Sequence, residues 1–347
     1  MPPNSYTTKN NSSNLVEIIK NKILPLYNLK DCTIEQIKVK NTNKDRAVFK
    51  ITSNNKSYCL KKVYCNENEL LFIYSVLEWF YRNNLNVPNL LPSSSKNRFV
   101  KYNNLLFILT PWIYGEKCNF DNLDDIYISS KNLAFMHKCS NNFFPIKGSK
   151  IKIGYENLHM SCKNHTDKLL FCYNEALKKN DTFSKLFLSS FKDNFFLAQN
   201  STIIASTIDF SGLTKTLCHG DYVNKNIIFE NKNIWLIDFD NCAFDYASHD
   251  ISHFLRRLLK RRSINWNIPL TKCIISIYDS INPLNKDDFK YILSYISYPQ
   301  KYWRISKDYY SNNPKLKKEE AIESLKKLNS TMNTQINFIK ELEKVYY

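Results

Sequence analysis

Along the first third of the chain, apolar and polar residues alternate with the period of a strand, broken once by a helical stretch. LVEIIKNKILPLY spaces its apolar residues for a short leading helix behind a polar arm over residues 1–14, and the two fill 1–30. IEQIKVK, RAVFKIT and SYCLKKV then alternate as strands, and the joins NTNKD and SNNK carry asparagines, which tolerate left-handed turn conformations. NELLFIYSVLEWFYRN returns to the helical period, and FVKY and LLFILTPWIYG are two further strands. Three strands, a helix and two strands predict a compact antiparallel N-terminal lobe over 31–112, with a hinge near Thr110 to Gly115.

Over 113–347 the pattern is mostly helical. DDIYISSKNLAFMHKCS, HTDKLLFCYNEALKKN and DTFSKLFLSSFKDNFFLAQN each predict one amphipathic helix. Helices resume with SHDISHFLRRLLKRR and run to a closing EEAIESLKKLNSTMNTQINFIKELEKV. Between them, IIF, a four-residue ENKN turn and IWLID predict a hairpin within the stretch 217–240. The expected class is α+β, a small antiparallel lobe followed by a mainly helical one.

Composition changes this picture mainly by exclusion. At 347 residues and 43% hydrophobic, the chain can bury the cores of two packed lobes. Its five glycines (115, 148, 154, 212 and 220) never fall at Gly-x-Gly spacing, which rules out a dinucleotide fingerprint, a Walker A loop and a Gly-x-Ser-x-Gly elbow. The ten cysteines form no C-x-x-C pair and lie in apolar segments, so free thiols are expected and a thiolate metal site is not. The amino terminus has no apolar signal-peptide core, no 18-residue apolar run follows, and no membrane partner is expected.

Charge adds less than its size suggests. With 49 Lys+Arg against 32 Asp+Glu the net charge is +17, yet no long basic tract occurs. The excess is taken as solvated surface, and no nucleic-acid partner is expected. Arg256, Arg257, Lys260, Arg261 and Arg262 are assigned to helix surface near a C-terminus, with phosphate or nucleic-acid binding as the other reading. His137 and His253 lie on apolar helix faces and are assigned to packing. So is YPQKYWRISKDYY, although Trp303 and Arg304 could edge a substrate cleft.

Candidate chemistry sits in LCHGDYVNKNII and the hairpin after it. Asn226 precedes the first strand of the hairpin and Asp238 ends the second, so the turn brings them to the same end, with Asp221 in the loop leading in. An amide and a carboxylate there offer hard oxygen ligands, which suit Mg²⁺. A second carboxylate can accept a proton from a substrate hydroxyl, and phosphoryl transfer needs that set. The bland alternative, turn-forming Asp and Asn, leaves the joint spacing unexplained.

His219, Asp221 and Asn226 match the His-Gly-Asp-x4-Asn loop of the aminoglycoside/choline phosphotransferase branch of the protein-kinase-like fold, and Asp238 in LIDFD matches its metal-binding aspartate. LTPWIYGEKCNF, LAFMHKCS, HDISHFLRR and YPQKYWRISKDYY resemble the CotS family of spore-coat-associated proteins, over nearly the whole chain after residue 30. The resemblance implies a bilobal aminoglycoside phosphotransferase-like fold that uses Mg²⁺ and ATP. Asp221 would be the base, Asn226 and Asp238 the metal ligands, and Asp240 a second metal contact. Asp250 looks like the aspartate that buttresses the loop, and His219 holds the loop backbone. Lys61 falls at the end of the third strand, where kinases place the lysine that grips the phosphates; alternation turns Lys62 to the opposite face. Glu69, with Glu67 as fallback, would be the helix partner of Lys61.

On this resemblance the chain is a spore-coat-associated, kinase-like protein. It would transfer the ATP γ-phosphate to a hydroxyl of a small molecule or coat component. The alternative is a catalytically silent scaffold that binds other spore-coat proteins. Either form would be made in the mother-cell cytoplasm and deposited on the coat. One departure stands out. Kinase-like folds cover the phosphates with a glycine-rich loop between their first two strands, whereas here that turn is NTNKDRA and no glycine precedes Gly115.

Overall fold

A computed structural model of the protein describes residues 15–40, 46–231 and 233–346. The polar arm and the NTNKD join (41–45) lie outside the described residues. Contacts divide the chain into two compact units. Unit 1 gathers the described residues up to Lys117 with Asn142–Lys152 and Lys225–Cys242; unit 2 holds Cys118–Asn141, Ile153–Asn224 and the chain from Ala243 on.

Unit 1 is built on an antiparallel five-stranded sheet. Its members are β1 (Thr33–Lys40), β2 (Arg46–Ser53), β3 (Lys56–Val63), β4 (Val100–Tyr102) and β5 (Leu105–Pro111), in the order β1-β2-β3-β5-β4. Strict alternation decides which face is core. Ala47, Phe49, Ile51 and Ser53 of β2 are buried while the residues between them are half-buried. Phe49, Leu60 and Phe107 pack with Ile19, Ile23 and Leu24 of the leading helix, in which an α turn over 15–18 passes into a π turn and then a 3-10 turn. Asn54 and Asn55 turn β2 into β3 at φ 49° and 60°, conformations asparagine accepts more readily than most residues. Across from the sheet, α1 (Glu67–Arg82) starts at a capping box made by Asn66 and Glu69.

A second sheet completes unit 1, ordered β6 (Glu116–Lys117), β8 (Ile227–Glu230), β9 (Asn233–Leu236). The hairpin is tighter than the expected ENKN turn. Glu230 pairs with Asn233, so the strands run to both ends of ENKN, with Asn231 at φ 57°. It was also expected within the helical stretch 113–347, and contacts instead group it with the N-terminal strands. The reason is backbone pairing: β8 bonds to β6, and Leu236 donates to the Asn86 carbonyl at 3.0 Å while Asn86 Nδ2 donates to the Ile234 carbonyl at 3.1 Å. Gly115 makes this approach feasible. Its φ is +127°, and a Cβ there would collide with the Phe229 carbonyl.

Unit 2 is mainly helical. Its helices are α2 (Leu123–Cys139), α3 (Leu158–Lys179), α4 (Thr182–Ser189), α5 (Phe191–Ser206), α6 (Ala247–Leu259), α7 (Ile268–Asp279), α8 (Lys286–Ser297), α9 (Gln300–Tyr310), α10 (Lys318–Asn329) and α11 (Met332–Tyr346). The helix expected over DTFSKLFLSSFKDNFFLAQN is broken by a serine, and the closing helical stretch is divided in a similar way. Ser190, at φ −115° and ψ 6°, separates α4 from α5, and its carbonyl accepts from Asn194 Nδ2 at 2.9 Å. Ser330 and Thr331 separate α10 from α11, where the Thr331 hydroxyl bonds back to the Leu328 carbonyl; such local bonds compete with the helix ladder. A short pair, β7 (Lys215–Cys218) with β10 (Ala243–Tyr246), had no clear alternation to announce it.

The core of unit 2 is aromatic. Phe187 and Tyr302 stack with centroids 5.0 Å apart at 11°, both buried, and Tyr302 donates its hydroxyl to the Phe187 carbonyl at 2.8 Å. Phe183 stacks likewise on Tyr309 at 3.8 Å. Phe187→Ala removes a whole ring from this stack. It is expected to cost about 3–5 kcal/mol of stability, read by denaturant unfolding. A loss under about 1 kcal/mol would mean that the stack does not organise this core.

Candidate functional site

Lys61 lies on β3 opposite Val48 of β2, on the face away from Phe49 and Leu60. Its ammonium donates to Asp238 Oδ1 and to Asp240 Oδ1, each at 2.6 Å. Burial opposes the charge of Lys61, yet Asp240 and Asp238 outweigh it and hold the pKa above the ordinary lysine value. Lys62 is buried on the face shared with Leu60, so alternation separates the two lysines as expected.

The aspartates reach Lys61 because of a local twist after β9. Asp238 sits in the left-handed region at φ 69° and ψ 56°, which costs a non-glycine residue roughly 1–2 kcal/mol. A 3-10 turn, Phe239–Asn241, follows. Phe239 is buried against Phe80 of α1 with ring centroids 5.7 Å apart, so the carboxylates on either side turn to Lys61 while the ring anchors the turn. Asn226 is buried, and its carbonyl accepts from the Ile237 amide at 3.0 Å, tying it to the residue before Asp238.

Three features here were not in the sequence expectations. Arg46 Nη1 lies 3.1 Å from Asp240, Lys152 Nζ donates to the Asp240 carbonyl at 2.9 Å, and Arg46 Nε is buried with no hydrogen bond. Alternation in β2 could have flagged Arg46, which shares a face with Val48, the partner of Lys61. Glu69 requires a correction. It closes the capping box with the Asn66 amide and pairs with Lys150 at 2.8 Å, because it occupies the first turn of α1; Glu67 pairs with Lys101 at 2.7 Å. The partners of Lys61 are the two aspartates instead.

The loop residues of unit 2 are organised by Asp250, in the first turn of α6. Its carboxylate accepts from the His219 amide at 2.6 Å and the Gly220 amide at 3.0 Å, and His137 Nε2 lies 3.4 Å away. Burial works against its charge, yet the His137 hydrogen bond and the neighbouring imidazoles hold it well below the usual carboxylate range. Gly220, at φ 73°, lets the two amides converge. His219 is fully buried and its Nδ1 accepts from the Asp221 amide at 3.3 Å, which leaves Nε2 to carry the proton of the neutral ring. Tyr222 anchors the far side, donating its hydroxyl to the Ser129 carbonyl at 2.7 Å. His137 and His253 both stay on packed helix faces; His137 Nδ1 is 2.6 Å from the Tyr278 hydroxyl.

His137, Cys218 and Asp250 bring ligand atoms within 4.8 Å of one another. That cluster is a packing network. The Asp250 oxygens already accept backbone N–H bonds, and burial pushes the Cys218 thiol far above its ordinary pKa, which disfavours the thiolate a metal would need.

Solved structures of similar proteins share this architecture. An aminoglycoside phosphotransferase from Alicyclobacillus acidocaldarius subsp. acidocaldarius is similar over 92% of this chain and 95% of its own, with TM-score 0.79 and 18% identity. Spectinomycin phosphotransferase in complex with ADP and spectinomycin covers 94% and 98%, with TM-score 0.65 and 17% identity. Amicoumacin kinase in complex with AMP-PNP and Ca²⁺ covers 96% and 93%, with TM-score 0.60 and 15% identity. These likenesses establish the fold as bilobal, kinase-like and of the aminoglycoside phosphotransferase type. Residues 34–342 match the family described as "Spore coat putative kinase YutH", and the chain belongs to that family of kinase-like spore coat proteins.

Proposed function

We propose that the protein binds Mg²⁺ and ATP and transfers the γ-phosphate to a hydroxyl of a small molecule or coat component. The observation that carries this reading is Lys61 bridging Asp238 and Asp240 at 2.6 Å each. Two cations, Lys61 and Arg46, pair with the two carboxylates there, and Lys152 adds a third positive charge beside Asp240. The set is exchangeable, since the Asp238 side chain is 38% exposed. The donors fit the metal: carboxylate and amide oxygens are the hard ligands Mg²⁺ prefers. Asp238 and Asn226 would hold it, with Asp240 as a further contact, and when bound it would neutralise phosphate charge. Lys61 would then turn its ammonium from the carboxylates to phosphate oxygens. The unused Arg46 Nε is a second donor beside it.

Asp221 is the proposed base. The acceptor oxygen bonds to the γ-phosphorus as the bond to the bridging oxygen of ADP breaks, and the hydroxyl proton passes to Asp221. His219 and Asp250 would position that loop without touching the reactants. Solved relatives carrying ADP or AMP-PNP support the nucleotide part of the reading. Membership of a spore coat family supports synthesis in the mother-cell cytoplasm and deposition on the coat, with other coat proteins as partners. A second reading, a silent scaffold of the coat, is favoured by one feature: no glycine precedes Gly115, so the turn between β1 and β2 lacks the usual phosphate-covering residues.

Calorimetry separates the two readings. ATP is expected to bind only with Mg²⁺, and Asp238→Ala is expected to abolish that binding. Folded protein that ignores millimolar nucleotide would leave the scaffold. Asp221→Asn should keep nucleotide affinity while lowering phosphate transfer by about 10²–10⁴-fold, followed by ADP release once an acceptor is in hand. Transfer at the parental rate would remove Asp221 from the chemistry.

Asp250 gives a stability test with a defined sign. Its folded pKa is depressed, so its contribution is complete above the unfolded value of about 3.9 and is lost as pH falls from there through the folded value. Asp250→Asn is expected to lose about 3–5 kcal/mol at pH 7 and less at pH 3, by denaturant unfolding at each pH. An equal loss at both would show that the charge is not what holds the loop.

A further inference from the structure

The basic cluster at the end of α6 is part of a cavity wall. In unit 2 a cavity of about 650 Å³ is lined by Lys260, Arg261 and Arg262 after α6, by Lys301 at the start of α9, and by Lys326 and Lys327 at the end of α10. An adjoining pocket of about 380 Å³ shares Lys260, Arg261, Arg262 and Lys327 with it. Two of the six cations are neutralised locally: Arg261 by Asp121, and Lys326 by Glu323 at 2.8 Å. Among the described residues Lys260, Arg262, Lys301 and Lys327 have no ion-pair partner.

The surroundings raise the local positive potential further. Pro299, ahead of the eleven-residue α9, offers no side-chain cap, and Ser330, Thr331 and Met332 put the start of the fifteen-residue α11 on the same wall. Both helix N-termini bring a positive dipole end to a space already crowded with cations. Lys260 is solvent-accessible, yet the protein around it desolvates its ammonium, and Arg256, Lys301, Arg304 and Arg257 repel it; its pKa is pushed down to about 7. Burial, Lys327 and Arg304 lower Lys301 as well. The cations outnumber the two carboxylates at this wall, Asp121 and Glu323, and the excess like charge repels itself, a cost that a bound anion relieves. Solvated lysines on a convex helix face would not converge from three segments on one concavity.

We propose that this cavity binds a small polyanion, a ligand with two or more phosphate or carboxylate groups on an apolar framework flanked by Trp266 and Met332. Its volume is in the range of small-molecule pockets, about 300–1,000 Å³. Trp266 and Met332, both largely buried, supply apolar lining, while the unpaired cations of the same cavity supply the charge-assisted bonds. The site is independent of Lys61, Asn226 and Asp238, and it stands whether or not the protein is a kinase.

The full chain, without Mg²⁺ and at physiological salt, is titrated calorimetrically with inorganic tripolyphosphate and, separately, with citrate. One saturable site is expected. The double variant Lys260→Gln, Lys301→Gln should weaken it tenfold or more and, by relieving repulsion, raise the melting temperature of the free protein. Asp238→Ala should leave it unchanged, which separates this cavity from the nucleotide site. Binding of tripolyphosphate alone assigns a phosphorylated ligand; binding of citrate alone assigns a polycarboxylate. No saturable binding of either by folded protein overturns the proposal. So does binding indifferent to the double variant, or binding of duplex DNA or polyglutamate in place of both small anions.

Discussion

A carboxylate shut away from water is unstable unless its surroundings replace the lost hydration, and Asp250 is such a group at 2% exposure. The replacement is specific. Two consecutive amides, those of His219 and Gly220, donate to it, and His137 approaches from α2. His137 is in turn fixed by Tyr278 of α7, while its carbonyl accepts from the Thr216 hydroxyl of β7. One charge on α6 therefore sets the relative positions of two other helices, a strand and the backbone from which Asp221 projects. The stringency comes from cost: leaving any of these partners unmade would strand a buried charge.

Unit 1 uses charge differently. Lys61 and Asp240 are largely covered while Asp238 is 38% exposed, and the arrangement has a local expense, a left-handed aspartate where a glycine would be relaxed. Structural ion pairs do not need such a conformation. Strained positions of this kind concentrate where a protein must present a side chain at a fixed angle. In this fold the strain is offset by Phe239, whose ring is buried against α1.

Much of this was legible in the sequence because each signal was local. Alternation in RAVFKIT and SYCLKKV fixes the first strands, and the spacing from His219 to Asp238 marks the loop and hairpin. What escaped depended on partners distant along the chain. The ownership of the hairpin rests on β6, two residues long, and on a single asparagine at position 86. Glu69 was misassigned because a capping box and a lysine-pairing glutamate look alike at the start of a helix; only the Lys150 contact distinguishes them. The serine breaks at 190 and 330 were hidden by apolar periodicity that continues through them. The basic cluster was visible, but its concavity was not, since α9 and α10 supply part of the wall.

The collision that confines Gly115 has a consequence for how the protein is made. Its carbonyl neighbour belongs to Phe229, and among the described residues β6 pairs with β8. A nascent chain halted after Lys117 could pair its first five strands, but the second sheet of unit 1 would remain without two of its members. That unit is complete only once Cys242 has left the ribosome, so the N-terminal portion must wait, partly assembled, while much of the other unit is being synthesised.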